Sequence, residues 1–309
     1  MSTPTLRTIP PDQWQQWIVS ARRQGQTGQL PTYIPQLTTV DAQAFALQVG
    51  DRQGLIYQGG DLALSFSLMS AIKPFVLLYC LHHQGRAWLG SKVGDRPSRQ
   101  AYNSLAQLQV DQGFPRNAMI NSGAICLADH LPGKTAAERC QQVMDWLNQT
   151  AGCRLFLDRD LLTSVRSLPN PRNQAIAALM GEKKTIQAPD LALDTYNHLC
   201  CLSGHINDLY RLGMILQFPS FPLKPEVSRS VQRTLGHSGL YEMSATFFRQ
   251  TGFSCKSGVS GVMLACLPLS PPAIVACYSP PLNSQGHSVA SMALLKNIHN
   301  CIGQESRQN

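Results

Sequence analysis

Ser70 and Lys73 stand three residues apart in the tetrapeptide SAIK, a spacing that sets a hydroxyl and an amine on one face of a helix. A serine hydroxyl attacks a carbonyl poorly until a base takes its proton, and a lysine can be that base only when neutral. Burial or a second nearby cation lowers a lysine pKa far enough to supply that state. Taken alone the pattern is weak, because a helix-capping Ser70 beside a solvated Lys73 is the simpler reading of four residues.

A second element shifts the balance. Lys256, Ser257 and Gly258 form KSG at the junction of two expected strands, in the order and spacing of the KTG box of the SxxK hydrolases. In that class the strand lines the site opposite the serine and brings backbone N–H groups and a cation near the developing oxyanion. Tyr33, Tyr196 and Tyr241 lie among polar or small residues where a phenol can reach a cleft and pass a proton between serine, lysine and leaving amine. For any one of them, a partly buried ring with its hydroxyl bonded at the rim is the blander alternative.

These residues need a scaffold. Trp14, Trp17, Ile18 and Ala21 recur at helical spacing after Pro10-Pro11 and predict a short amphipathic helix. Two strand-like runs, Phe45–Val49 and Gly54–Gln58, split by GDRQG, predict a hairpin, with a helix from about Ser70 to His83 behind it. Residues 85–236 are rich in Ala, Gln, Asn and Leu at helical period and read as a mostly helical insert. SATFFRQTGF, VSGVMLACLP and AIVACYSP then predict three strands, followed by a last helix over Ser288–Ile302. The order implies an α+β, αβα-layered fold: one domain over 1–303, its antiparallel sheet built from both chain ends (1–84 and 237–303), with a polar tail over 304–309. The cleft between sheet and insert is the default site.

Composition narrows the function classes. The chain has 309 residues, enough for a sizeable core, and no apolar run of membrane-spanning length. Its formal charge of +8 is spread thinly, without the basic, aromatic-interleaved run of a nucleic-acid groove, so small molecules are the expected partners. The N-terminal stretch lacks a charged start followed by an apolar core, which leads us to expect a cytoplasmic protein. Cys126, Cys200, Cys201, Cys266 and Cys277 sit in apolar stretches and none makes a CxxC pair, so reduced core thiols are expected, with neither disulfides nor structural zinc.

SFSLMSAIKPF resembles the serine–lysine segment of the bacterial and mitochondrial glutaminases, and the likeness extends across nearly the whole chain. TYIPQL, with Tyr33, resembles that family's substrate-site entry. VGDRPS and YNS are similar to its VGxEPSG and FNS, and PRNAMINSGAI is close to NPMxNAGAI, which places Asn121 where the family binds substrate. PRNQAIA matches an RN pair through Asn173, LDTYNHLCCL carries Tyr196, GLYEMSATFF carries Tyr241, and KSGVSGV carries Val259, a backbone contact by resemblance. YSPPLNSQGHSVA is similar to the family's ending. The resemblance implies a β-lactamase/transpeptidase-like fold, hydrolysis of the L-glutamine side-chain amide, and a homodimer or homotetramer.

One position departs from the pattern. The family's substrate-binding glutamate, expected to pair with the substrate ammonium, is here Val165, and no Asp or Glu stands between Leu161 and Gly181. Loss of one partner of a buried charge pair costs about 2 to 5 kcal/mol, or roughly 30-fold to several-thousand-fold in affinity. Three outcomes follow: a glutaminase weak for free glutamine, a hydrolase for an amide lacking the free amino group, or a silent glutamine-binding protein. Ser122 in place of alanine and one extra residue before Asn173 are milder departures. A penicillin-recognising hydrolase shares SxxK and a KTG-like strand and is the competing enzyme reading. The mechanism so drawn uses Ser70 as nucleophile, Lys73 as base, Tyr241 as proton carrier, support from Lys256, and no metal or organic cofactor.

Overall fold

The computed structural model describes residues 5–305. Eight strands form two sheets: β1 (Ala46–Asp51), β2 (Gly54–Gly60), β3 (Ser65–Ser67), β4 (Phe156–Leu157), β5 (Leu202–His205), β6 (Ser254–Ser257), β7 (Val262–Leu267) and β8 (Ala273–Tyr278). The larger sheet runs β2-β1-β8-β7-β6. All its pairings are antiparallel, and the two chain ends meet at β1 and β8, where Ala46 faces Tyr278 and Asp51 faces Ala273.

Every residue of β1, β7 and β8 is buried. Such continuous burial needs cover on both faces, and the side chains divide by the period of two. Met263, Ala265, Val275 and Cys277 point with Leu47 and Val49 into a core shared with Trp14, Ile18, Leu294, Leu295 and Ile298. Leu264, Cys266, Ile274 and Ala276 point the other way, into the core that holds the helical block. The first face is covered by the helices Pro11–Gly25 and Val289–Glu305, and the second by the Ile206–Gln217 helix. Gly213 lets that helix lie close on the sheet, since a Cβ there would sit 2.6 Å from Ile274 Cγ2. The result is the expected αβα layering.

The helical block is organised around Asn121–Asp129, a helix in which all nine residues are buried. It packs against Lys73–Lys92, Pro171–Glu182 and Pro189–Cys200. A burial so complete explains why NSGAICLAD shows no polar face.

Four expectations need correction. SATFFRQTGF is not a strand: Ser244–Thr251 is a helix stopped by Gly252 in the left-handed region at φ 74°, and the strand β6 starts only at Ser254. Its aromatic, β-branched composition suggests β, yet the buried positions Ser244 and Phe247 lie three apart on one helix face, and the segment packs on the Pro225–Ser238 helix. The helix expected from Ser70 opens instead as a tight 3-10 turn over Met69–Ile72, and the α-helix proper runs Lys73–Lys92 with a break at Gly85 (φ 82°). The second sheet, β3-β5-β4, was not anticipated at all, its strands being two to four residues long. The last helix extends to Glu305, into the expected polar tail; residues 306–309 of that tail and the first four of the N-terminal stretch lie outside the described residues. No described helix is long and apolar enough to cross a membrane.

Candidate active site

The chain leaves β3 through Leu68 and enters the Met69–Ile72 turn with Met69 at φ 45°, a left-handed conformation uncommon outside glycine that turns Ser70 toward a cavity of about 470 Å³. Lys73 follows at the first position of the α-helix and is 1% exposed. Its Nζ donates to Met119 O at 3.1 Å and to Asn121 Oδ1 at 2.7 Å. Burial pulls its pKa down to about 8, opposed in part by Cys200. A neutral amine carries two N–H donors and one lone pair, and those two acceptors use both donors. The lone pair is left for an incoming proton.

The lysine also fixes the amides beyond it. Asn121 Oδ1 must be an acceptor, since it takes hydrogen bonds from Lys73 and, at 3.2 Å, from the Tyr196 hydroxyl. Its Nδ2 then donates to Asn173 Oδ1 at 2.8 Å, which leaves the Asn173 Nδ2 hydrogens as donors. Asn121 is held in turn by its own backbone N–H on Tyr102 O at 2.8 Å. It is thus mainly a wiring residue, and Asn173 is the amide with spare capacity. Burial keeps Tyr196 far above the usual phenol pKa.

On the opposite side Tyr241 sits at φ 53° in a short turn, a second strained non-glycine residue at the site. Lys256, wholly buried, donates to the Tyr241 hydroxyl at 3.3 Å and to Ser257 O at 2.6 Å, with its Nζ 4.5 Å from the centre of the Tyr241 ring. Burial and then repulsion from Lys73 drive the Lys256 pKa well below that of a free lysine. Tyr241 is pushed strongly up by burial and pulled back by hydrogen bonding with Ser70, so it stays a neutral phenol.

The turn after Lys256 closes onto the nucleophile segment. A Cβ at Gly258 would lie 2.5 Å from Leu68 O and 3.4 Å from Ala71 N, so only glycine allows this approach. Ser260 Oγ donates to Ser67 O at 2.6 Å and pins the same turn to β3. Behind it Ser257 Oγ meets His287 Nδ1 at 2.8 Å, and the His287 ring stacks on Tyr241 with centroids 5.9 Å apart. Burial and then Lys256 depress the His287 pKa to about 4, which keeps it neutral.

The cavity brings together Tyr33, Ser70, Asn121, Val165, Asn173, Tyr196 and Val259. Lys73, Tyr241 and Lys256 stand buried around Ser70. Tyr33 is the outlier: at 55% exposure it is a rim residue. Tyr102, Arg172 and His287 join the site without being expected in it, and Cys200, expected only as a core thiol, lines the cavity. Tyr102 and Arg172 fall inside the YNS and PRN stretches, where neither carries a separate signal of its own. Cys200 offers no signal within an apolar run, and His287 becomes visible only when β6 and the C-terminal segment are folded together. Among the described residues no cluster of His, Cys, Asp or Glu is arranged to hold a metal ion.

A family model described as Glutaminase matches residues 28–305. A glutaminase of Synechocystis sp. is 56% identical over 296 residues, covering 96% of this chain and 90% of that protein. A glutaminase of Vibrio parahaemolyticus is 31% identical over 287 residues, covering 90% and 92%. Among solved structures, the probable glutaminase ybaS is similar at TM-score 0.85 and 26% identity, over 96% of this chain and 98% of that one. The probable glutaminase from Bacillus subtilis complexed with 6-diazo-5-oxo-L-norleucine shares the fold at TM-score 0.84 and 23% identity, over 96% and 97%.

Proposed function

The chain belongs to the glutaminase family, and from that premise we propose that it hydrolyses the side-chain amide of L-glutamine to L-glutamate and ammonia through an acyl-enzyme on Ser70. Ser70 Oγ attacks the amide carbon as its proton passes to the neutral Lys73 amine. The tetrahedral oxyanion is held by the backbone N–H groups of Ser70 and Val259, an arrangement supported by the close approach of the Gly258 turn to the Leu68–Ala71 backbone. Tyr241, neutral and bonded to Lys256, carries the proton to the leaving ammonia. Water then adds to the acyl carbon, Oγ leaves with a proton, and glutamate departs. Asn173, Tyr196 and Tyr33 position the amino-acid head.

The observation that carries this reading is a buried lysine, both of whose neutral-state N–H groups are already committed, one helical step from a serine facing the cavity. Because the base works deprotonated, kcat/KM should rise with pH and level off above about 8, where Lys73 has lost its proton. The direct test is Ser70→Ala. Loss of ammonia release by on the order of 10⁶-fold, the scale for a removed serine nucleophile, is expected. Near wild-type turnover would overturn the assignment, and binding of glutamine without turnover in the unmodified protein would replace it with the silent-binder reading.

A further inference from the structure

The charges around the cavity are unbalanced. Lys73 and Lys256 lie buried beside it and Arg172 stands on its wall, while none of the described residues lining it is Asp or Glu. A carboxylate, Glu242, lines the adjoining outer cavity of about 780 Å³, where it is exposed. A substrate ammonium would join the Arg172 guanidinium in a chamber whose described lining carries no carboxylate to pair it. A carboxylate is favoured there, facing Arg172 and the free Nδ2 donors of Asn173.

The wall itself is apolar where such an ammonium would need a partner. Val165 packs with Ile34, Met69 and Val259 in one small hydrophobic cluster, and Leu168 and Pro169 continue the surface. Space is ample: about 470 Å³ lies within the range that takes ligands far larger than one amino acid. The outer cavity shares Tyr33, Tyr102, Asn103, Arg172 and Val259 with the inner one, so a substituent can pass between them.

We propose that this chamber takes glutamine whose α-nitrogen is acylated, a substrate class that keeps the carboxylate, carries no ammonium and rests its acyl group on Val165 and Leu168. The inference builds on the Ser70 amidohydrolase reading. The chemistry at the side chain is unchanged: the C–N bond of the primary amide breaks, water supplies hydroxyl to the carbon and a proton to ammonia, and the N-acyl bond stays intact.

The test is kcat/KM for ammonia release from L-glutamine and N-acetyl-L-glutamine, measured with the wild type, Val165→Glu and Ser70→Ala. The wild type is expected to use the acylated compound at least as well as the free one, with all release lost in Ser70→Ala. Val165→Glu should move the ratio toward free glutamine by about 30-fold or more, the scale of a restored buried charge pair. A wild-type ratio favouring free glutamine overturns the inference and leaves the amidohydrolase reading standing. Ser70-dependent release from neither compound overturns both. Should Val165→Glu fail to fold, the wild-type ratio still decides.

Discussion

The two walls of the cleft are built to different standards. Around Ser70, positions are fixed several times over: Lys73 by two acceptors, Asn121 by Lys73, Tyr196, Asn173 and the Tyr102 carbonyl, and the Gly258 turn by Ser260 and by direct contact with Leu68. The facing wall is sparse. Tyr33 is 55% exposed, Val165 is only partly buried, Arg172 among the described residues makes one long hydrogen bond, to Asn103 at 3.5 Å, and Leu168 is 42% exposed. In the proposed reaction the first wall makes and breaks bonds, where a misplacement of an ångström is costly. The second receives the rest of the substrate and can vary without disturbing the chemistry.

If the contrast holds, the largest effects belong to the first wall. Lys256→Met removes the donor to Tyr241 and should lower kcat by about 10²- to 10⁴-fold, the usual weight of a proton-transfer group. The pH limb is the sharper readout. The Lys73 shift comes from burial, opposed by Cys200, and Lys256→Met alters neither, so the rise toward pH 8 should stay where it is as the plateau drops. A limb that moves would show that Lys256, not Lys73, is the group being titrated. Gly258→Ala comes next. Its Cβ would collide with Leu68 O, and relieving the overlap costs about 1 to 3 kcal/mol. Directed at the transition state, that is a loss of roughly 5- to 150-fold in kcat/KM with KM little changed. A full loss appearing in Tm instead, with turnover intact, would mean the turn is structural only.

The same contrast governs what could be read from the sequence. SAIK and KSG were legible because each packs its chemistry into adjacent residues, and β7 and β8 because six-residue apolar runs admit few alternatives. The wiring was not. The Lys73–Asn121 contact spans 48 residues, Ser257–His287 spans 30 and Ser260–Ser67 spans 193, and no local pattern announces them. Composition misled where periodicity should have ruled: SATFFRQTGF has strand-like residues, but its inward positions Ser244, Phe247 and Thr251 are spaced three and four apart, as on a helix face. β3, β4 and β5 are too short to carry an alternation. Val165 drew notice only through the register of a resemblance, since a valine on a polar helix is unremarkable by itself.

The smallest effect should fall on the sparse wall, and it tests the contrast from the weak side. Tyr33 lines both cavities at 55% exposure, yet its hydroxyl is the sheltered end of the side chain and already has the Tyr102 hydroxyl as a partner. A hydrogen bond formed in exchange for another contributes about 0.5 to 1.5 kcal/mol net. Tyr33→Phe should therefore raise KM by no more than about five-fold and leave kcat and the pH limb unchanged. A larger loss carried by kcat would require the Tyr33 hydroxyl to act on the reacting atoms, which means the rim must fold inward over bound substrate. In that case the sparse wall is only half of a site that substrate completes, and the division between the two walls describes the free protein alone.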